Sequence, residues 1–153
     1  TVVLSGANNG SGIALVEVFD VDTPSARLLN LSTRGRVRTQ DDVMIGGVIL
    51  GGTDYSRVVF RGLGPSIAVH GAPLAGRLSD PVLELHDQDG AVIRSNDDWK
   101  QNQSSEIQMS GFAPSDEREA AIIGNFPPGH YTVILRGKDD SSGIGLVEAY
   151  KLN

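Results

Sequence analysis

The side chains best suited to chemistry in this chain are hard oxygen donors gathered between residues 80 and 98. Asp80, Asp87, Asp89, Asn96, Asp97 and Asp98 fall on two neighbouring turns. Calcium, which takes roughly six to eight oxygen ligands, is the ion such a set would hold, although the spacing is not that of an EF-hand. The same residues have a plainer use. Asp-x-Asp-Gly at 87–90 and Asn-Asp-Asp at 96–98 are turn formers whose side chains bond nearby backbone amides. Trp99 follows the second turn directly; it would be a stacking platform for a sugar ring if exposed and a core or lid residue if buried. With one Trp, three Tyr and four Phe in the chain, no multi-ring binding face is evident.

Arg34, Arg36 and Arg38 recur at a period of two, which sets them on one face of a strand. There they could meet a polyanion such as acidic polysaccharide, or stay solvated and pair with carboxylates. Glu17 and Glu148 each sit on an otherwise apolar strand. An inward carboxylate needs a partner, and Arg61 and Arg136 are the candidates for a structural pair that fixes register. Enzyme chemistry finds little support. His70, His86 and His130 are far apart and lack metal-ligand spacing. Gly62-Leu63-Gly64-Pro65-Ser66 is not a nucleophile elbow, and Gly137-Lys138 lacks the upstream glycine of a phosphate loop. The expectation is a protein without catalytic residues.

Composition narrows the classes further. A length of 153 residues suits one domain with a proper core. The net charge of −6, from 13 Lys and Arg against 19 Asp and Glu, argues against nucleic acid, whose phosphates require a basic face. No apolar run approaches the roughly 18 residues of a membrane helix, so membrane insertion is not expected. Cysteine is absent, which removes disulfides and thiolate chemistry and suits a cytosol or a bacterial exterior. The chain opens at Thr1 without a signal-like segment, which implies either processing upstream or a start inside a longer protein, and of these we favour processing and secretion. Three sequons, at Asn9, Asn30 and Asn102, matter only where N-glycans are installed.

The elements that must position these residues are organised by a duplication. Residues 1–22, TVVLSGANNGSGIALVEVFDVD, align without a gap onto residues 132–153, TVILRGKDDSSGIGLVEAYKLN, with 10 of 22 positions identical. Each copy reads as a hairpin: a β-branched run, a loop of Gly, Asn, Asp and Ser, then a long alternating run. In the second run Ile13, Leu15, Phe19 and Val21 share one face and Ala14, Val16 and Val18 the other, so the strand belongs between two layers or at a contact between units. The chain therefore divides into a hairpin over 1–22, duplicated at 132–153 and suited to joining units, and a single sandwich repeat unit over 23–153.

Between the copies, further strands are expected at Leu28–Ser32, Arg36–Thr39, Val43–Leu50, Arg57–Gly62, Pro81–His86, Val92–Ser95 and Ala120–Phe126, with a turn at 127–129 leading into Tyr131–Arg136. Two stretches could be helical for a turn or two: Pro73–Leu78, and Ser104–Ser110 with Ser104 as cap and Ile107 facing inward. The fold expected is all-β, an antiparallel, jelly-roll-like β-sandwich with at most one or two short helical turns.

Residues 80–137 carry a resemblance. DPVLELHDQDGAVIRSNDDW, followed later by NFPPGHYTVILRG, resembles the bacterial pre-peptidase C-terminal domains and related secreted β-sandwich repeats. That resemblance implies a sandwich with an extracellular, non-catalytic role, and a calcium site in some of its members. From residues and resemblance together we expect a structural unit of the cell surface or exterior. It would assemble head to tail with copies of itself into a filament or array, with Val2, Leu4, Ile13, Leu15, Val16 and Phe19 at the junction. A secreted adhesion or carbohydrate-binding module is the alternative.

Overall fold

The computed structural model describes residues 1–19 and 28–152. Among the described residues ten strands follow one another: β1 (Asn30–Val37), β2 (Met44–Leu50), β3 (Ser56–Leu63), β4 (Ala68–Val69), β5 (Ala72–Pro73), β6 (Pro81–His86), β7 (Val92–Asn96), β8 (Ala120–Phe126), β9 (Gly129–Gly137) and β10 (Gly143–Leu152). One helix, α1 (Ser104–Met109), lies between β7 and β8. Eight strands make two four-stranded antiparallel sheets, ordered β1-β10-β3-β8 and β2-β9-β6-β7, and β4 and β5 form a small ribbon. This is the expected antiparallel, jelly-roll-like sandwich.

Burial explains the two layers. In β6 buried and half-buried residues alternate strictly, so Leu83 and Leu85 point into the core while Glu84 and His86 face outward. Val37, Val58, Phe60, Ile122, Val133 and Leu135 meet them from both sheets. Phe126 stacks edge-on against Phe60 and Tyr131, with ring centroids 5.7 and 5.4 Å apart. The sheets approach closely at Gly145, where an added Cβ would lie 2.6 Å from Leu135 and 3.1 Å from Val37.

The first sheet has a second covering. The chain between β7 and β8 folds across its outer face, where Trp99 and Ile107 pack on Val59, Ala121 and Ile123, with Phe112, Tyr150 and Leu152 alongside. Hence β10 is covered on both faces: Val147 and Ala149 turn inward, while Glu148, Tyr150 and Leu152 lie under the outer layer. Ile107 faces inward as its spacing implied.

Several expectations are corrected. The strands expected at Leu28–Ser32 and Arg36–Thr39 are one strand, β1, paired along its whole length with β10. Pro73–Leu78 is not helical: Pro73 pairs with Ala68, Gly76 adopts a φ of +70°, and the Gly76 and Leu78 backbone bonds Ile144 of β10. Ser104 does not cap α1. That position belongs to Gln103, in the left-handed region, whose side-chain amide instead donates to the Ile123 carbonyl at 2.8 Å.

The largest correction concerns the repeated segment. Residues 132–152 do not form a hairpin, because β9 pairs with β2 and β6 in one sheet while β10 pairs with β1 and β3 in the other. They form an arch that crosses from sheet to sheet through a single 3-10 turn, Lys138–Asp140. Two long strands of the same length separated by a short polar loop read alike whether their arms pair or diverge. Only the positions of the partner strands tell them apart.

Candidate functional site

The acidic corner forms where β6 begins, β7 ends and β9 turns away. Asp80, Asp97 and Asp98 bring carboxylate oxygens within 4.8 Å of one another. The corner already holds a cation: Lys138, the first residue of the arch turn, places Nζ 2.7 Å from Asp97 and 3.7 Å from Asp80. The Lys138 backbone amide also donates to the Asp80 carbonyl at 2.9 Å. Burial holds the Asp80 carboxyl above its ordinary range, Lys138 opposes this, and the neighbouring Asp97 and Asp98 add to it. The bond to Asp97 in turn raises the Lys138 ammonium.

The other three expected ligands turn elsewhere. Asp87 Oδ1 accepts from the amides of Asp89 and Ala91 at 3.0 and 2.9 Å, an ordinary turn. The Asp89 carboxylate belongs to that exposed turn. Asn96 is buried, accepts from Ala121 N at 2.8 Å and donates to the Asp98 carbonyl at 3.0 Å. Lys138 bonds two of the three carboxylates, so a calcium ion at this corner would compete with its ammonium.

Trp99 is only 7 % exposed, and its indole N–H donates to the Asp116 carbonyl at 3.1 Å. It closes the outer layer and is not placed to stack on a sugar. Of the three arginines, Arg34 and Arg36 are exposed on the edge strand β1 and make no ion pair among the described residues, and Arg38 pairs with Asp42 at 3.7 Å. His70, His86 and His130 lie on the β4–β5 turn, β6 and β9; His86 bonds Glu84 Oε2 and the Gly90 carbonyl.

The Glu148 carboxylate, which lies under the outer layer and not in the inner core, has the first of its two candidate partners. Arg61, opposite on β3, donates from Nε to Glu148 at 2.8 Å and also from its terminal nitrogen. Arg136 instead reaches Glu84 and the Gln40 carbonyl. Ser32 and Tyr150 donate their hydroxyls to the second Glu148 oxygen at 3.2 and 2.9 Å, so three strands are tied at one carboxylate. Burial first, and then the bond to Glu148, raise the Tyr150 phenol above its usual value.

A second buried carboxylate escaped sequence reading. Glu119 is 0 % exposed and accepts from Gly64 N at 3.0 Å, Ser66 N at 2.9 Å and Ser66 Oγ at 2.6 Å, holding the turn after β3. Nothing local distinguishes it from Glu117, two residues before it and exposed.

The remaining candidate is the first copy of the arch. Residues 1–19 contain no strand and are exposed throughout. Val2, Leu4, Ile13, Leu15, Val16 and Phe19 all stand in solvent, Ile13 completely. Residues 20–22, including Val21, lie outside the described residues. Yet the turn is formed. Ala7–Asn9 repeats the 3-10 geometry of Lys138–Asp140, with Asn8 at φ 52°, ψ 38° where Asp139 has φ 51°, ψ 40°. Gly10 N closes on the Ala7 carbonyl at 2.8 Å as Ser141 N does on Lys138 at 3.0 Å.

No family model and no curated protein matches this chain. Among solved structures it is similar to the pre-peptidase C-terminal domain of collagenase from Bacillus anthracis, at 11 % sequence identity and a TM-score of 0.46. The match covers 79 % of this chain and 89 % of that one. Among the described residues no helix is long and apolar enough to cross a membrane.

Proposed function

We propose that this protein is a non-enzymatic structural unit of the cell exterior that joins copies of itself head to tail into a filament or surface array. One observation carries the reading. A second copy of the arch stands outside the sandwich with its apolar residues in water, in a fold whose own arch is already seated. A segment apolar on both faces is stable only against a partner, and each large side chain fully buried there contributes about 1.5–3 kcal/mol. Val2, Leu4, Ile13, Leu15, Val16 and Phe19 together suffice for a durable junction. A head-to-tail contact of this kind does not close on itself and so extends.

Light scattering and electron microscopy test the proposal. Particles many times the mass of one chain, or visible fibres, are the expected result, and a strictly monomeric protein at high concentration overturns it. The second reading, adhesion to an acidic polysaccharide, is favoured only by exposed Arg34 and Arg36 on an edge strand. It predicts salt-sensitive retention on a polyanion column that Arg34→Ala with Arg36→Ala abolishes.

A further inference from the structure

We infer that residues 1–22 are the closing arch of a second sandwich of the same repeat, supplying one strand to each of its two sheets. This deepens the head-to-tail reading and rests on it, because it names what the free segment enters. The receiving unit is another sandwich of the same repeat, with a framework like that formed here by residues 28–131 and an open arch seat, since in this chain residues 132–152 fill that seat.

The argument lies in where the two copies agree. Among residues 132–152 seven positions are buried: 133, 135, 143, 145, 147, 148 and 149. Five of these carry the same residue in the first copy, as Val2, Leu4, Gly12, Val16 and Glu17. Of the fourteen other positions only five agree. Agreement is concentrated where the sandwich, and not the solvent, selects the residue. A free leader would have no reason to keep it so.

Geometry sharpens the match. Gly143 lies against Leu78, where an added Cβ would fall 2.6 Å from backbone atoms, and its counterpart is Gly12. Gly137 leaves no room for a Cβ, which would sit 2.0 Å from the Ser141 carbonyl oxygen; Gly6 has the same 2.0 Å approach to the Gly10 oxygen. Glu17 repeats the carboxylate that Arg61 binds here, a costly residue to keep on an apolar strand unless an arginine faces it. The arch also explains why the arms of the free copy do not pair with each other. Their partners are two different sheets.

Two buried positions differ, Ala14 for Gly145 and Val18 for Ala149, so the receiving unit has slightly more room beside this strand. At the turn Ala7 replaces Lys138, so the receiving unit does not rely on a lysine at its corner.

The test is a full-length chimera in which the sequence of residues 1–22 replaces residues 132–153, with Gly145 and Ala149 retained. It reads folding alone, so its failure leaves the assembly measurements untouched, and theirs leaves it untouched. We expect one cooperative thermal transition with a midpoint within about 10 °C of the parent, where each kcal/mol moves the midpoint by roughly 2–4 °C. The parent carrying Leu135→Asp and Val147→Asp is measured beside it and is expected to lose the transition. A chimera with no cooperative transition overturns the inference. So does a parent that keeps its transition with both aspartates, since its seat would then not need the arch.

Discussion

Glu119 shows what one side chain does here. It gathers three donors from the turn after β3 in a site shut off from water, and a buried donor left without its acceptor costs about 1–3 kcal/mol. Glu119→Ala is therefore expected to lower the unfolding free energy in urea by at least about 3 kcal/mol. Glu117→Ala, two residues away at the surface and paired with Lys100, is expected to change it by less than about 1 kcal/mol. Tyr150 makes a prediction in pH. Its folded-state pKa is raised, because ionising the phenol means charging a buried oxygen beside the Glu148 carboxylate. The folded protein then holds this proton more tightly than the unfolded chain. The stability so gained is complete below about pH 10 and is lost as pH rises through the folded-state value. Urea midpoints measured across the alkaline range are expected to fall less steeply for Tyr150→Phe than for the parent. Tyr131, also raised by burial, retains the remainder of the slope.

At the scale of elements, junctions between strands set the constraints. The turn after β3 passes so close to the strap before β6 that a Cβ on Gly64 would lie 2.3 Å from the Leu78 carbonyl oxygen. Gly64→Ala must move backbone and is expected to cost about 1–3 kcal/mol in chemical denaturation. Gly47→Ala in β2, where a Cβ meets nothing within 4 Å, is expected to be neutral or slightly stabilising, since glycine is the poorer strand residue. The corner where β6, β7 and β9 meet depends on Lys138. Lys138→Ala leaves three carboxylates facing one another, so its melting temperature is expected to fall, and to fall further at low salt, where their repulsion is least screened. Calcium is expected to restore the variant's melting temperature and to leave that of the parent unchanged. A parent that gains stability from micromolar calcium would show that the lysine yields to the ion.

At the scale of the whole molecule, the sandwich of the described residues is complete without residues 1–19. All eight strands of its two sheets lie between residues 30 and 152, and residues 1–19 are exposed along their whole length. Deleting residues 1–22 is expected to leave a cooperatively folding protein with a melting temperature within a few degrees of the parent. It is also expected to abolish any assembly seen by light scattering. Loss of folding on deletion would place the first arch in its own chain's core.

Much of this architecture was legible in the amino-acid sequence. Alternation of buried and half-buried positions located β6 to the residue, because a half-buried strand writes its period directly into side-chain polarity, whereas β8 was legible as a short apolar run. The repeat and its matching glutamates were likewise visible as identity, as were the apolar faces of the arch. The Glu148–Arg61 pair could be anticipated because a carboxylate on an apolar strand demands a partner, though the choice of Arg61 over Arg136 follows from strand order. The acidic corner was legible as a cluster of residue types and not as a site, since Asp87 turns to local amides, Asn96 turns to the Ala121 amide on β8, and Lys138 arrives from 40 residues further on. Glu119 was invisible, because its burial comes from contacts more than 50 residues distant. Whether two strands joined by a tight polar turn pair with each other or part to opposite sheets is decided only by the strands that flank them. Hydrogen-bond partners at that range leave no trace in local periodicity, so the hairpin became an arch only when the tertiary structure placed β9 and β10 in separate layers.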